Sequence, residues 1–391
     1  MKEGWTYKKL GDLFDITSSK RVFQKDWKNK GVPFFRAREI VKLSKQGYVN
    51  NDLFISEEMY EDYKKKYGVP QIGDILITGV GTLGTCYVVK DEKKFYYKDG
   101  NIIWLKKRKE IDSDYVALQF LCPYVKKQIY KTEGATVGTY TITNANNTEI
   151  LVPSLSEQKK IVSRLDAAFS HIDELKANAE KQLSEARALF QKSLAKAMEP
   201  KEGWEKQSLG ELCKIQSLLV NPLEDKYKHL LHVGGANIIS VTGELVDLRT
   251  AEEEGLESGK FTFDNKDVLY NKIRPYLIKV ARPDFSGLCS ADMYPLTPQK
   301  SLMRDYLYYI LVSRDFTDFA VLNSGRAGMP KLNRQALFTY KCKIPPLSEQ
   351  QRIVERLDAL SAHVRELEEN QKKIISECDA LKQALLRKVF E

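Results

Sequence analysis

The sequence lacks several features that would each indicate a particular class of protein. The 391 residues contain no run of roughly 18 apolar residues, which a membrane-spanning helix requires, and the first residues carry no apolar stretch of the kind found in signal peptides. The six cysteines are far apart and include no C-x-x-C pair, the spacing typical of zinc and redox sites. We therefore expect a cytoplasmic protein with reduced thiols and no membrane partner.

Catalytic motifs are also missing. Gly79-Val80-Gly81-Thr82-Leu83-Gly84 has the spacing of a dinucleotide-binding loop, but the pattern from Cys86 to Val89 predicts a strand where that motif requires a helix. Asn221-Pro222-Leu223-Glu224 lacks the second proline and the aromatic residue of an amino-methyltransferase motif. His229 and His232 are three residues apart, but no third ligand is near them in the sequence. The sequence thus predicts no active site, no metal site and no cofactor site in this chain.

What the sequence does contain is an internal repeat. The segment from Leu155 to Asp166 (LSEQKKIVSRLD) returns 192 residues later, from Leu347 to Asp358 (LSEQQRIVERLD), with nine of twelve residues identical. Lys2-Glu3-Gly4-Trp5 likewise reappears as Lys201-Glu202-Gly203-Trp204, and a Leu-Gly pair follows each copy. Such self-similarity indicates two copies of one structural unit.

The repeat predicts the domain boundaries. Each copy should be a globular domain followed by a long helix, with the first domain at residues 1–153, the first helix at 154–200, the second domain at 201–345 and the second helix at 346–391. The segments that are predicted to form strands and helices are similar in the two halves, whereas the loops differ. Gly79 to Gly84 corresponds to Asn271 to Tyr276, and Gly134 to Tyr140 corresponds to Asn323 to Lys331.

Local patterns predict several shorter elements of the first half. Trp5 to Ile16 has the pattern of a lead-in and strand, and Gly73 to Thr78 that of a buried strand. Glu57 to Tyr67 and Asp114 to Tyr130 are predicted to be helical. After the glycine-rich loop, an extended segment is expected to continue to Pro153.

Both long helices show the heptad pattern of a coiled coil. Ser156 and Ser348 are the predicted N-caps. Apolar positions in the first helix alternate spacings of four and three from Ile161 through Leu175 to Ala179, and then follow a looser pattern to Leu194. The second helix repeats the alternation more strictly. Its predicted seam consists of Ile353, Leu357, Leu360, Val364, Leu367, Gln371, Ile374, Cys378, Leu381 and Leu385.

These elements predict an α+β protein. Two domains of mixed α/β structure would be joined by two long antiparallel coiled-coil helices, as a pseudo-two-fold repeat. A helix of roughly 40 residues is about 60 Å long, so each helix would act as a stiff spacer.

The charge is concentrated in the first half. Residues 1–150 carry 26 Lys and Arg against 19 Asp and Glu, which accounts for +7 of the net charge of +9. A basic face is compatible with a polyanionic partner, although solvated lysine-rich surfaces are also common.

Several basic and polar side chains lie on the loops that differ between the halves. Arginine can donate to guanine edges and to phosphates, and asparagine can pair with adenine. Arg36 and Arg274 are expected to be the best ordered, because apolar neighbours would fix their direction. The candidate DNA contacts are Lys20, Arg21, Lys25, Arg36, Arg38, Thr82, Thr139 and Tyr140 in the first half, and Lys272, Arg274, Tyr276, Asn323, Arg326 and Lys331 in the second.

The repeated motifs resemble those of a known family. Pro-x-Leu-Ser-Glu-Gln-x-x-Ile-Val-x-Arg-Leu-Asp follows a variable loop twice, and Trp-x4-Leu-Gly-x-Leu begins each half. This pattern, over essentially the whole chain, is similar to the specificity subunit of type I restriction-modification systems. The resemblance implies that the globular domains are target-recognition domains, each of which binds one half of a split, asymmetric site on double-stranded DNA.

The resemblance also implies which subunits bind this chain and which activity each of them has. Two methylation subunits would dock through the helices and bind S-adenosylmethionine, and restriction subunits with motor and nuclease activity would use ATP. The chain itself would carry no cofactor and would not be an enzyme.

A protein-interaction scaffold is the alternative. In that case the coiled coil would be the functional element, and the globular domains would bind proteins rather than DNA. Salt-sensitive retention of DNA by the assembled complex distinguishes the two hypotheses.

Overall fold

The chain folds into two compact units that do not coincide with its two sequence halves. A computed structural model describes residues 4–130, 138–325 and 328–391. The first unit consists of Met1–Asn178 and Ile374–Glu391, and the second unit of Ala179–Lys373. The last residues of the C-terminal helix therefore belong to the first unit. In the described ranges, no helix is long and apolar enough to cross a membrane.

The first half alternates short strands and helices before it enters a 43-residue helix. A 3-10 turn at Gln24–Asp26 lies in the loop after the second strand. The elements are β1 (Thr6–Lys9), α1 (Leu10–Leu13), β2 (Phe14–Thr17), β3 (Val32–Phe35), α2 (Ala37–Gln46), β4 (Phe54–Ile55), α3 (Glu57–Tyr67), β5 (Ile75–Thr78), β6 (Cys86–Val88), β7 (Tyr96–Tyr97), β8 (Ile102–Lys107), α4 (Ser113–Gln119), α5 (Pro123–Ile129), α6 (Ile142–Asn147), β9 (Glu149–Val152) and α7 (Leu155–Ala197).

The second half follows the same plan and ends in a 44-residue helix. A 3-10 turn at Pro275–Leu277 lies between two of its strands. The elements are β10 (Glu205–Ser208), α8 (Leu209–Leu212), β11 (Cys213–Lys214), β12 (Leu219–Val220), α9 (Asp225–Lys228), β13 (Leu231–Val233), β14 (Arg249–Thr250), β15 (Lys260–Phe263), β16 (Val268–Asn271), β17 (Val280–Ala281), β18 (Gly287–Cys289), β19 (Met293–Pro298), α10 (Arg304–Val312), α11 (Arg314–Leu322), α12 (Arg334–Thr339), β20 (Lys341–Ile344) and α13 (Leu347–Phe390).

The main sheet has the same strand order in both units. It is β2-β8-β5-β6 in the first unit and β11-β19-β16-β17 in the second, and all neighbours are antiparallel. The register also agrees, since Ile75 lies opposite Leu105 and Val268 lies opposite Leu296. The predicted duplication is therefore confirmed at the level of topology.

A second sheet is shared in part. In the first unit, β3 pairs antiparallel with β4 and parallel with β7. In the second unit, β13 pairs in the same two ways with β14 and β18, but β15 and β12 extend this sheet to five strands. The units thus share a scaffold and differ in what is added at its edge.

The repeated motifs contact each other in the second unit. Trp204 Nε1 donates a hydrogen bond to Glu349 Oε2 at 2.9 Å, and Lys201 Nζ lies 2.6 Å from Glu349 Oε1. Both tryptophans of the repeated motif, Trp5 and Trp204, are buried, and each belongs to a core cluster. The motifs are therefore part of the scaffold that joins each globular domain to its helix.

The long helices each bury one row of residues and expose another. Leu165, Ile172, Ala179 and Ala186 of α7 are buried at spacings of seven, and Leu357, Gln371 and Cys378 occupy the corresponding buried row of α13. The prediction that every apolar heptad position lies in the seam was wrong. An adjacent row is exposed, and it contains Leu175 and Leu189 of α7 and Leu367, Ile374 and Leu381 of α13.

Within the first unit, α7 and the end of α13 run antiparallel. Lys382 Nζ lies 2.5 Å from Asp173, and Lys176 Nζ lies 2.8 Å from Asp379. The residue number of the partner in α13 therefore falls as the residue number in α7 rises. Phe390 packs against Tyr115 in the core of this unit, with ring centroids 5.6 Å apart. Within the second unit, Arg187 of α7 lies 2.7 Å from Glu368 of α13. Both units are therefore built on a pair of helix segments from distant parts of the chain.

Some local predictions agree with the structure and others do not. The helix at Glu57–Tyr67 and the strands around the Gly79 loop are confirmed. The segment from Trp5 to Ile16 contains the helical turn α1 within the predicted strand region, and the helix predicted from Asp114 to Tyr130 is two helices, because Cys122 and Pro123 begin a new one. The expected extended segment before Pro153 contains α6.

The predicted N-caps of the long helices lie two residues after the observed ones. Helix α7 begins at Leu155, and Ser154 Oγ accepts a hydrogen bond from the Glu157 N–H at 3.3 Å. Helix α13 begins at Leu347, where the Pro346 carbonyl accepts from the backbone of Glu349 and Gln350. Ser156 and Ser348 therefore lie inside the helices.

Candidate nucleic-acid interface

In the first unit, several of the variable loops meet at one edge of the main sheet. Ser18 Oγ donates to the Ile102 carbonyl at 2.8 Å. The Gly79 N–H donates to the Asn101 carbonyl at 2.8 Å, and the Tyr140 N–H donates to the Gly79 carbonyl at 2.9 Å. The loops that hold the candidate residues are thus tied together, although they are far apart in the sequence.

Exposed cations surround the first of these loops. Arg21 Nε lies 2.9 Å from Asp99, and its side chain remains 67% exposed. Lys20 Nζ lies 5.5 Å from the centre of the Tyr67 ring, and Lys25 is exposed on the 3-10 turn. All three cations are exposed, and a phosphate that bound Arg21 would compete with Asp99.

Arg36 and Arg38 belong to one ion-pair network at the start of α2. Arg36 caps the helix, and its N–H and guanidinium donate to the Glu39 carboxylate at 2.9 to 3.3 Å. Both guanidinium groups also donate to Asp52, and Arg38 does so through two bonds of 2.8 and 2.9 Å. Carboxylates, and not the expected apolar neighbours, therefore fix the direction of Arg36.

The carboxylates of this network are held in the ionised form. Glu39 is only 2% exposed, and burial opposes its ionisation, but hydrogen bonds from Arg36 and Arg38 hold its pKa below the usual value. The hydrogen bond from Arg38 likewise lowers the pKa of Asp52. Asp52 and Arg38 are exposed and Arg36 is partly exposed, so the network is accessible from solvent.

The remaining candidates of the first unit divide into exposed and buried residues. Thr82 and Thr139 are exposed. Tyr140 is only 2% exposed, its hydroxyl hydrogen-bonds Thr148 Oγ1 at 2.7 Å, and its ring packs edge-on against Phe120. The expected contact between Tyr140 and DNA is therefore not compatible with the structure, in which this residue belongs to the core.

In the second unit, the two variable loops also meet. The Arg274 N–H donates to the Pro330 carbonyl at 2.8 Å, and the Leu332 N–H donates to the Lys272 carbonyl at 3.0 Å. Ile273 and Lys331 form an isolated antiparallel bridge. The candidates on the two loops therefore lie side by side.

Lys272 is a structural residue and not an exposed contact. It is 8% exposed, its Nζ lies 5.0 Å from the centre of the Tyr294 ring, and it hydrogen-bonds the Ala291 carbonyl. Burial lowers the pKa of Lys272, and the charge of Lys331 lowers it further. The sequence-based expectation of a DNA contact at Lys272 is thus corrected, since its ammonium group is enclosed.

Other candidates of the second unit remain accessible. Arg274 and Tyr276 are exposed on the turn between β16 and β17, and Asn323 is exposed at the end of α11. Lys331 is partly exposed, with its Nζ 3.6 Å from Asp292. Arg326 lies outside the described residues.

The turn that carries Arg274 has an unusual backbone. Arg274 has φ 50° and ψ 66°, and Ile278 has φ 47° and ψ 55°, so two residues with side chains adopt the left-handed conformation on either side of Pro275–Leu277. This conformation costs free energy for residues other than glycine, most of all for a β-branched residue. The backbone of the turn that carries Arg274 and Tyr276 is therefore strained at both ends.

Sequence reasoning missed the acidic partners of the candidate arginines and lysines. Asp52 holds Arg36 and Arg38, and Asp292 lies 3.7 Å from Lys272 and 3.6 Å from Lys331. No sequence pattern links these residues, because the pairs are formed by tertiary structure. The one signal in the sequence that could have suggested these ion pairs is the presence of an acidic residue on a loop near each group of basic residues.

Each of the two histidines that were considered as metal ligands lies beside a glutamate. His229 lies 3.3 Å from Glu252, and His232 Nδ1 lies 2.9 Å from Glu254. Each therefore has a carboxylate partner of its own, and the described part of the chain contains no group of three or more potential metal ligands.

Comparisons with solved structures agree with this architecture. A chain from a study of complex assembly and conformational transition in a type I restriction-modification system superposes with a TM-score of 0.75, at 19% identity, over 100% of this chain and 98% of that one. The HsdS subunit from Thermoanaerobacter tengcongensis gives a TM-score of 0.54, at 19% identity, over 99% and 97%. At these identities the likeness shows the fold, and it confirms the predicted two-domain α+β architecture.

Sequence comparisons identify the family. The EcoDI specificity subunit from Escherichia coli is 28% identical over 300 residues, which are 68% of this chain and 67% of that protein. A putative type I restriction enzyme specificity subunit from Haemophilus influenzae is 32% identical over 159 residues, 40% of this chain and 38% of its own length. Residues 2–185 and 201–377 both match the family described as type I restriction modification DNA specificity domain. The chain therefore belongs to the family of type I restriction-modification DNA specificity domains, and it carries that domain twice.

Proposed function

We propose that the chain is the DNA sequence-recognition subunit of a type I restriction-modification complex, in which each unit binds one half of a split, asymmetric site. The observation that carries the proposal is the contrast between shared scaffold and different loops. The main sheets agree in strand order and register, whereas the loops at 79–84 and 271–276 differ in charge and shape. Two equal scaffolds with different loops are suited to two different half-sites.

The loops of the first unit favour base contacts by arginine. Arg38 Nη2 donates to both carboxylate oxygens of Asp52 and Nε donates to Glu39, so the guanidinium is held in one direction, and it would bind guanine O6 and N7 when the base displaces Asp52. Arg21, Lys20 and Lys25 are placed for phosphates. In this proposal Arg38 contributes to specificity, and the three other cations contribute mainly to affinity.

The long helices provide the docking surface for methylation subunits. Their exposed row, with Leu175, Leu189, Leu367, Ile374 and Leu381, keeps the heptad spacing of a helix contact that is not made within the chain. Large apolar side chains in a row are unfavourable in water unless a partner covers them. The chain would be non-catalytic and would act in the cytoplasm, with S-adenosylmethionine bound by the methylation subunits and ATP by the restriction subunits.

An exchange of one domain tests whether each unit binds its own half of the site. Residues 201–345 are replaced by the corresponding segment of another specificity subunit, and the recognised sequence of the reconstituted methyltransferase is determined by binding to duplex libraries. The proposal predicts that one half of the site changes and the other half is retained. A change in both halves, or in neither, would show that the units do not bind separate half-sites.

A further inference from the structure

The second unit exposes an apolar surface beside its candidate arginine. Tyr276 is 54% exposed, Val321 43%, Leu322 83% and Met329 56%. Single exposed apolar residues are ordinary in soluble proteins, but a group of large ones marks a binding surface. We call these four residues the apolar rim.

The rim is assembled from three segments. The turn Pro275–Leu277 packs against α11, whose last two residues are Val321 and Leu322. The hydrogen bond from the Arg274 N–H to the Pro330 carbonyl places the segment after residue 328 beside the same turn, at an N···O distance of 2.8 Å. The four residues therefore lie on segments that are adjacent in the structure, where the variable loops meet.

Cations border the rim. Arg274 is exposed on the turn itself, and Lys331 follows Met329 by two residues with its side chain 44% exposed. This combination is complementary to a nucleic acid, whose phosphates attract the cations while its base edges lie between them. Among the base edges of the major groove, the apolar group that protrudes is the C5 methyl of thymine.

The corresponding loop of the first unit has smaller side chains. There the turn between β5 and β6 presents Gly81 and Thr82, which are small and exposed. The residue after α5 is Tyr130, which is exposed, whereas the last two residues of α11 are the exposed aliphatic residues Val321 and Leu322. The turn of the first unit therefore lacks an exposed large side chain where the turn of the second unit has Tyr276.

We propose that the apolar rim of the second unit contacts thymine methyl groups in the major groove, so that Tyr276, Leu322 and Met329 determine specificity at the second half-site. This inference rests on the proposed function, because it assigns a chemical class of base contact to one of its two half-sites. Burying one methyl group is worth about 0.8 kcal/mol, or about fourfold in affinity.

Substitution of thymine by deoxyuridine tests the inference, because it removes only the methyl group. The reconstituted methyltransferase is bound to duplexes in which each thymine of one half-site is replaced in turn. The wild-type complex should lose about fourfold in affinity for each contacted methyl group of the second half-site. Leu322→Ser and Met329→Ser should weaken binding to the thymine duplex and remove the sensitivity to deoxyuridine.

A matched control separates this effect from general surface changes. Leu223 is 62% exposed in the same unit, on the turn before α9, and Leu223→Ser should retain both the affinity and the sensitivity to deoxyuridine. Because Leu322 and Met329 are exposed, their replacement should leave the unfolding transition unchanged.

Three outcomes would overturn the inference while leaving the proposed function standing. These are a second half-site without thymine on either strand, a wild-type complex that binds its site but tolerates deoxyuridine, and a Leu322→Ser variant that binds DNA normally but fails to assemble with a protein partner. A complex that prefers no sequence at all would instead contradict the proposed function itself.

Discussion

Gln350 Oε1 accepts a hydrogen bond from the backbone N–H of Met303 at 2.8 Å, and its Nε2 donates to the carbonyls of Ser301 and Pro345 at 2.9 Å each. Gln158 of the first copy accepts in the same way from the Asp112 N–H, at 2.9 Å, and donates to the Pro153 carbonyl. This glutamine of the repeated motif therefore joins the start of each long helix to the loop before the helix pair of the globular domain.

Gln350→Ala should destabilise the second unit by about 2–4 kcal/mol, because three backbone groups would lose their partner in a buried environment. Urea unfolding of the full chain measures the effect. Gln351→Ala is the matched control, since Gln351 is exposed and bonds only Glu355 on its own helix. Its cost should stay within about 0.5 kcal/mol. Equal costs for the two substitutions would show that the buried contacts of Gln350 do not stabilise the fold.

Glu39→Gln should destabilise the first unit at neutral pH and have less effect in acid. The pKa of Glu39 is lower in the folded protein, so its carboxylate contributes stability above its unfolded pKa of about 4.3. That contribution is lost as the pH falls through the folded pKa. Urea unfolding between pH 7 and pH 3 should therefore show the wild type approaching the variant.

Glu58→Gln is the control for this titration, because Glu58 is exposed on α3. Its effect on the free energy of unfolding should be small throughout the pH range. If the difference between wild type and Glu39→Gln were independent of pH, the ionised carboxylate would not be what holds Arg36 and Arg38.

The predictability of the site from sequence differs from residue to residue. The loops that carry Arg274 and Lys331 were expected to be functional because they differ between the copies, and the structure brings them together. Tyr140 and Lys272 lie on the same kinds of loop but point into the protein. Loop patterns do not encode the direction of a side chain, because that direction depends on partners such as Thr148 and Tyr294.

The fold was more predictable than the site. Duplication of the Leu155 motif and of the tryptophan motif is visible in the sequence, and the helix at Glu57–Tyr67 has clear boundaries because Ser56 caps it and Gly68 ends it. The heptad pattern, however, has two apolar rows. It does not reveal which row faces the neighbouring helix, and Leu175 and Leu381 were therefore placed in the seam although both are exposed.

Replacing the exposed row should prevent docking of the proposed methylation subunits without unfolding the chain. Leu367→Asp and Leu381→Asp place charges on a surface that we expect to be covered by apolar contacts. Co-purification with the methylation subunit should fall at least tenfold, while the circular dichroism and unfolding midpoint of the isolated chain stay the same. Lys372→Asp, an exposed substitution outside this row, should assemble normally. Undiminished assembly of the leucine variants would rule out this docking surface.

Lengthening both helices should change the spacer of the recognised site. Seven residues are inserted between Asn178 and Ala179 and seven between Lys373 and Ile374, where the two units divide. The buried rows repeat every seven residues, so they are kept, and each helix grows by about 10 Å, or about three base pairs. The methylated sites should show a longer spacer and unchanged half-sites.

A two-residue insertion at the same places is the control. It rotates the following helix by about 200° and turns the buried row towards solvent, so it should abolish assembly or DNA binding. A seven-residue insertion that altered a half-site would contradict the separation of spacing from recognition.

If this chain alone decides which DNA sequence its complex modifies, genome-wide mapping of methylated adenine will show it. Cells that carry the chain should show methylation at one split, asymmetric sequence, and cells from which only this chain is deleted should lose methylation at that sequence completely. Persistence of the same methylated sequence after the deletion would contradict the account.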